Sequence, residues 1–290
     1  MDYDPVKDRL SDLFTRSPRL NKTFYRLLDT VFLRAWYVQR EVRALVETMD
    51  PHRPIHVLDA GTGFGQYAYF LLEEFPHARV TAVDVKADYL ARARTFFDQT
   101  AHADRITFRQ LDLTDPMTEE DTYDLALSVD VMEHIEDDRA VFRNIRRVLR
   151  PGGYFVVNTP SDQGGSGVTG EDDESFIGEH VRDGYPPEEL QEKLEAAGLE
   201  VADWMYTYGR YGSAAWRLLV KWPIQLLNRS AALGAVLPLY YLPALPVGLA
   251  LNKLDLRQKN PTGTGLLMVA RKSTEGRFSE AHPTGERVPR

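Results

Sequence analysis

Two clusters of residues in this sequence have types and spacing that can do chemistry. The first is the turn Asp59-Ala60-Gly61-Thr62-Gly63-Phe64-Gly65. Glycines at alternate positions let a ligand meet the backbone, because no Cβ intervenes. A helix beginning near Gln66 would present free N–H groups and a partial positive charge to an anionic group. A dinucleotide fingerprint needs Gly-x-Gly-x-x-Gly/Ala, and here Gln66 stands where the third glycine is expected. No Lys-Ser/Thr follows, so the phosphate-loop pattern fails too. Asp59 would repel a pyrophosphate but can pair with an ammonium group. Asp84, ending the next strand, is placed to accept from ribose hydroxyls, and Asp112, ending the third, from an adenine amino group. The set fits a nucleoside that carries an amino acid.

The second cluster is Asp130, Glu133 and His134, followed at a distance by His180. A histidine can take a proton near neutral pH. His134 follows the fourth strand and is the first candidate base; His180, after the fifth, is the second. Each also has a plain structural reading, His134 as a helix-start residue and His180 with Arg182 as a loop-to-helix brace.

These residues need elements to hold them. Ile55–Asp59, Arg79–Asp84, Ile106–Leu111, Tyr123–Val129 and Tyr154–Asn158 read as strands. Helices are expected over 66–75, 87–97 and 139–149, the last capped by Asp137 or Asp138. Pro151-Gly152-Gly153 turns the chain back into a strand. Ser161–Asp173 reads as a loop, Glu188–Ala197 as a helix ended by Gly198, Val201–Tyr208 and Thr264–Lys272 as the last strands. Alternation of this kind implies an α/β fold: a Rossmann-like, mostly parallel sheet with helices on both faces and ligands at the carboxyl ends of its strands. Residues 1–50 read as an N-terminal helical cap whose Arg34, Trp36 and Tyr37 can alternatively cover a ligand. Residues 51–211 and 262–272 read as the core, 212–261 as an insertion, and 273–290 as a polar, disordered tail.

The insertion is the anomaly. Apolar residues are interleaved with Arg217, Lys221 and Arg229, and no charge occurs from Ser230 to Asn252. Its length permits a membrane span, but Pro238, Pro243 and Pro246 are expected to break the helix, and one span would separate the last strand from its sheet. The expectation is a hydrophobic lid that dips into one leaflet or holds a lipid-like substrate, against the plainer alternative of a buried apolar cap or dimer contact.

Composition narrows the partners. In 290 residues with 43% hydrophobic content a substantial core can form. A formal charge of −8 and a pI near 5.5 disfavour nucleic acid. The sequence has no cysteine, hence no disulfide or thiolate chemistry. The acidic start lacks the apolar core of a cleaved signal peptide, and a cytoplasmic address, at the inner face of a membrane where the insertion touches one, is expected.

Val57–Gly65, Asp84, Leu111-Asp112-Leu113, Ser128–Ile135 and Leu149-Arg150-Pro151-Gly152-Gly153 together resemble the ordered motifs of class I S-adenosylmethionine-dependent methyltransferases. The resemblance implies a seven-stranded sheet with an antiparallel last strand. It implies S-adenosyl-L-methionine as cofactor, with Asp59, Gly61 and Gly63 at the methionine end, Asp84 at the ribose and Asp112 at the adenine. Thr62, Gly65, Val85, Leu113, Ser128 and Asp130 complete the implied cofactor set, and Glu133 joins His134 and His180 as a catalytic candidate. Val131-Met132-Glu133-His134-Ile135 is similar to the Glu-His element of ubiquinone-biosynthetic and related small-molecule O-methyltransferases (the methyltransferase type 11/12 group), and the segment from Gly178 to Leu190 is a looser counterpart of their downstream pattern. In related quinone enzymes an acidic-x-x-Glu-His cluster can bind a divalent cation; side chains at a strand end need not converge, and no metal is assigned. The function expected is methyl transfer to a small, hydrophobic or lipid-like acceptor, oxygen favoured. The alternative is a non-catalytic membrane-associated binding protein that reuses the fold.

Overall fold

The computed structural model describes residues 18–164 and 181–274. Its centre is a sheet of seven strands in the order β3-β2-β1-β4-β5-β7-β6. These are β1 (Ile55–Ala60), β2 (Ala78–Asp84), β3 (Ile106–Gln110), β4 (Tyr123–Val129), β5 (Leu149–Pro160), β6 (Leu199–Thr207) and β7 (Gly265–Lys272). The first five are parallel, and β7 runs antiparallel between β5 and β6. The central strands are near-continuous apolar runs because both faces are covered.

One face packs α1 (Pro18–Val31), α2 (Leu33–Glu47), α3 (Gln66–Glu74) and α4 (Ala87–Phe97). Leu33, Tyr37, Val38 and Val42 of α2 join Tyr69, Phe96 and Phe97 in that core. The other face packs α5 (Asp138–Val148) and α6 (Pro187–Ala196) through Val141, Phe142, Ile145, Leu190 and Leu194. The carboxyl ends of β1 and β4, where strand order reverses, form the crevice at which the sheet can hold a ligand.

Within the described residues the expected strands and helices are found, with two corrections, and residues 1–17 of the expected cap lie outside them. Strand β5 begins at Leu149, not Tyr154: Leu149 already pairs with Tyr123, and Arg150–Gly153 bulge out before Tyr154 pairs with Leu125. The prolines do not break the insertion's long helix. Helix α9 (Leu237–Arg257) runs through Pro243 and Pro246, and both rings lie on its exposed side, where lost hydrogen bonds face outward. Asp137, as expected, caps α5 by accepting from the Ala140 N–H at 3.0 Å.

The insertion is a helical hairpin. Helix α7 (Arg210–Trp216) leads through a π-helical turn, Arg217–Lys221, into α8 (Trp222–Arg229), and α9 returns. Pro223 has no N–H, so one helical donor is missing next to the carbonyls of Leu218, five residues back, and Leu219, four back. The hydroxyls of Tyr240 and Tyr241 donate to these carbonyls, each at 2.7 Å. Gly248 allows this approach, since a Cβ there would fall 2.5 Å from Leu219. The hairpin's root is fixed by Asp255, fully buried, whose carboxylate accepts from the Gly212 N–H at 2.8 Å and the Tyr37 hydroxyl at 2.9 Å.

Candidate functional site

The glycine turn is built by strand geometry and three left-handed residues. Gly61, Gly63 and Gly65 have φ of +85°, +54° and +85°. At Gly61 a Cβ would also strike Val131, whereas the corresponding position at Gly63 has nothing within 4 Å. The turn is open at Gly63 and closed on either side. Both Gly61 and Thr62 donate to the Val83 carbonyl at 2.9 Å, which seats the turn on β2. The Tyr25 hydroxyl of α1 donates to the Phe64 carbonyl and pins the cap to the turn.

Asp59 is 3% exposed at the end of β1 and accepts from the Thr62 hydroxyl at 2.6 Å. Burial pushes its carboxyl up to about 6, assisted by the negative charge of Asp84 and opposed by the Thr62 bond. Asp84 accepts from the Gly63 N–H at 2.8 Å through one oxygen and from the Lys86 N–H at 2.9 Å through the other. It thus ties the open point of the turn to β2 and leaves a carboxylate at the crevice. Val85, next to it, is 58% exposed. Asp112 is exposed beyond β3 and holds the Thr114 N–H and hydroxyl on one oxygen. Leu113 has its side chain in the core beside α5.

Asp130 ends β4 in a left-handed conformation, φ +53°, unusual for a residue with a Cβ. Its N–H donates to the Asn158 carbonyl at 2.9 Å, and its carboxylate accepts from the Asn158 amide at 3.1 Å and pairs with Arg34 at 2.5 Å. Burial opposes the Arg34 charge, but Asp130 outweighs it and holds the guanidinium above its ordinary pKa. Of the three cap residues considered as a cover, only Arg34 reaches this strand end; Trp36 donates to the Asp29 carbonyl and Tyr37 to Asp255.

Glu133 and His134 sit on one turn of 3-10 helix, Met132–His134. Glu133 is 2% exposed and accepts from the Thr159 hydroxyl at 3.2 Å. Burial, then the nearby Asp130 charge, pushes its carboxyl up to about 8. His134 is partly exposed. Asp130, Glu133 and His134 do not converge: no group of three or more potential metal ligands occurs among the described residues. His180 lies outside the described residues, as do the expected loop beyond residue 164 and the tail beyond residue 274. Arg182 is the brace, donating to Asp138, to the Tyr185 hydroxyl at 2.7 Å and to the Ile135 carbonyl at 2.7 Å.

Among the described residues, four buried side-chain polar atoms have no hydrogen-bond partner: Tyr67 Oη, Ser128 Oγ, Asn158 Oδ1 and Thr207 Oγ1. Buried polar groups are nearly always paired, so an orphan marks a place where a ligand can complete the set. Ser128 and Asn158 flank Asp130 on neighbouring strands. Burial raises the Tyr67 phenol, opposed by the Arg34 charge and assisted by that of Asp130. Tyr208, pushed up to about 12 chiefly by burial, accepts from the Arg34 N–H at 3.1 Å. Tyr67 and Tyr208 were not legible as site residues, since each ends or begins an element whose apolar pattern absorbs it.

Asp59, the open backbone at Gly63 and Asp84 thus lie together at the carboxyl ends of β1 and β2. Residues 57–153 match the family model of a methyltransferase domain. The malonyl-[acyl-carrier protein] O-methyltransferase of Hahella chejuensis is 28% identical over 170 residues, 56% of this chain and 57% of that protein. Methyltransferase GfsG of Streptomyces halstedii is 30% identical over 155 residues, 53% and 55% of the two chains. The chain thus spans little more than half the length of these two relatives. A solved structure from Galdieria sulphuraria, described as a "putative sarcosine dimethylglycine methyltransferase", superposes with a TM-score of 0.57 at 22% identity, covering 84% of this chain and 86% of that one. A [4+2]-cyclase, SpnF, superposes at 0.56 and 20% identity, over 82% and 81%. Such likenesses define the fold; the reaction has to be argued from the site.

Proposed function

We propose that this class I S-adenosylmethionine-dependent methyltransferase domain moves a methyl group to a small, apolar acceptor, with an oxygen as the favoured target. The observation that supports this most is the turn open only at Gly63, with Asp59 and Asp84 on either side of it. S-adenosylmethionine, when bound, supplies a methyl on a sulfonium that is open to in-line displacement. Asp59 would hold its ammonium, Gly61 and Gly63 its amino-acid end, Asp84 its ribose and Asp112 its adenine.

The chain's own task is then alignment and water exclusion, an effect of about 7–11 kcal/mol where geometry is well held. Asp130, fixed between Arg34 and Asn158, shapes the strand end at which the acceptor sits. A hydroxyl acceptor has to lose a proton, and His134, on the adjoining turn, takes it, a contribution of roughly 10²–10⁴-fold. Glu133, closed off against Thr159, keeps that turn in place as a positioning residue. The apolar character of the acceptor is inferred from the insertion, rooted at Gly209 beside Tyr208, whose exposed apolar surface suits contact with a membrane.

Incubation with S-adenosylmethionine labelled in its methyl group and a lipid extract tests the reading directly. Label in an extractable lipid-like product supports it, and variants of His134 and His180 on that product then locate the base. No heat of binding with S-adenosylmethionine would end the enzyme reading.

A further inference from the structure

The insertion carries a charge opposite to that of the chain around it. The whole chain has a formal charge of −8, yet between Arg210 and Lys259 there are seven Lys and Arg and one acid, Asp255. That acid is fully buried, so the hairpin's outer surface carries cations only. Helix α9 divides into two sides. Ala244, Gly248, Asn252 and Asp255 are buried against the hairpin and α2. On the other side Leu239, Leu242, Pro243, Pro246, Val247 and Ala250 form an exposed apolar stripe, with Leu239 at 69% and Leu242 at 72% exposure. Lys253 and Arg257, spaced to continue the same stripe, are exposed at its C-terminal end. Trp222, at the start of α8, is also exposed.

We propose that this face docks on an anionic phospholipid bilayer, the apolar stripe among headgroups and upper acyl chains and Lys253 and Arg257 against lipid phosphates. The inference rests on reading the insertion as membrane-contacting, and adds the lipid class and the depth. Charge decides the class: basic residues at the edge of an apolar face are attracted to anionic headgroups and add to apolar burial. A second copy of the chain on the same face would bring cation against cation in a two-fold contact.

Proline decides the depth. Pro243 and Pro246 deprive the carbonyls of Leu239 and Leu242 of their usual helical donors, and both residues lie on the stripe. Water and headgroups can donate to those carbonyls, whereas hydrocarbon cannot. By length and composition Gly234–Arg257 suffices to cross a membrane. Its end, however, is held to the domain by the bonds of Asp255 to Tyr37 and Gly212, and β7 begins at Gly265. The helix therefore lies along the surface.

The test is sedimentation of the full chain with vesicles of pure phosphatidylcholine and of phosphatidylcholine with about 30% phosphatidylglycerol. Binding about 10-fold or more tighter to the anionic vesicles, weakened by about 0.5 M salt, is expected. Leu239→Ser with Leu242→Ser should lose binding to both, and Lys253→Glu with Arg257→Glu should lose the anionic preference. All of these side chains are exposed, and an unchanged melting temperature checks that the variants fold. Equal binding to both vesicle types overturns the anionic assignment and leaves membrane contact standing. Absence of binding to either overturns both, and a dimer in sedimentation velocity that Leu239→Ser with Leu242→Ser dissolves identifies a second copy as the occupant instead. Calorimetry with S-adenosylmethionine, done on the same preparations, reports separately on the methyl-transfer reading.

Discussion

Asp84 does two jobs with one carboxylate, and the consequences can be separated by substitution. Its oxygens fix the Gly63 and Lys86 N–H groups, so Asp84→Ala should abolish measurable S-adenosylmethionine binding in calorimetry. Asp84→Asn, which keeps one acceptor oxygen, should weaken it by about 10–100-fold, since hydrogen bonds to a charged group contribute about 1.5–3 kcal/mol. Unchanged affinity in both would dismiss the ribose assignment. Asp59 gives a sharper readout. Its carboxyl is pushed up to about 6, and a ligand ammonium beside it would favour the ionised form. Binding should therefore release protons near pH 6 and almost none near pH 7.5, a difference visible when calorimetry is repeated in buffers of different ionisation enthalpy. Proton release that is the same at both pH values would place the ammonium elsewhere.

At the scale of elements, the insertion shows how a proline-rich apolar segment becomes regular structure. Pro223 removes one helical donor beside the carbonyls of Leu218 and Leu219, and the hydroxyls of two tyrosines on α9 donate to them. Tyr240→Phe with Tyr241→Phe removes both of these half-buried bonds, at a cost of about 0.5–1.5 kcal/mol each. Amide exchange should quicken across Arg210–Arg229 in this variant and stay unchanged in β1 and β4. Exchange that rises throughout would mean that the hairpin does not fold as a separate unit. Gly248→Leu should act the same way, because its Cβ would meet Leu219 at 2.5 Å.

For the whole molecule, two buried carboxyls give stability an uncommon slope. The fold raises the carboxyls of Asp59 and Glu133 to about 6 and about 8, whereas the unfolded chain ionises them near 4. Their folded-state preference for the proton is fully available below the unfolded values. It is lost as pH rises above about 4, for Asp59 until pH passes about 6 and for Glu133 until it passes about 8. Stability should fall by up to about 1.4 kcal/mol per pH unit for each group within its window. Glu133→Gln keeps an acceptor for Thr159 and should flatten the decline between pH 6 and 8, measured by denaturant unfolding at each pH. A slope equal to that of the parent protein would show that Glu133 is ionised in the fold.

What the sequence by itself determined is the framework and the glycine turn with the acids beside it. Strand runs, glycine spacing and the acids at strand ends are local signals, and Asp59, Gly61, Gly63 and Asp84 meet because sequential strands are neighbours in the sheet. Only the tertiary structure decided the rest. That Arg34 of the cap reaches Asp130, 96 residues away, and that Glu133 turns inward to Thr159, 26 residues away, depends on contacts between segments distant in sequence. That Pro243 and Pro246 ride inside a helix depended on which side of α9 is exposed. Local patterns fix which way a chain runs; the partner that satisfies a buried charge or a missing donor is chosen by packing.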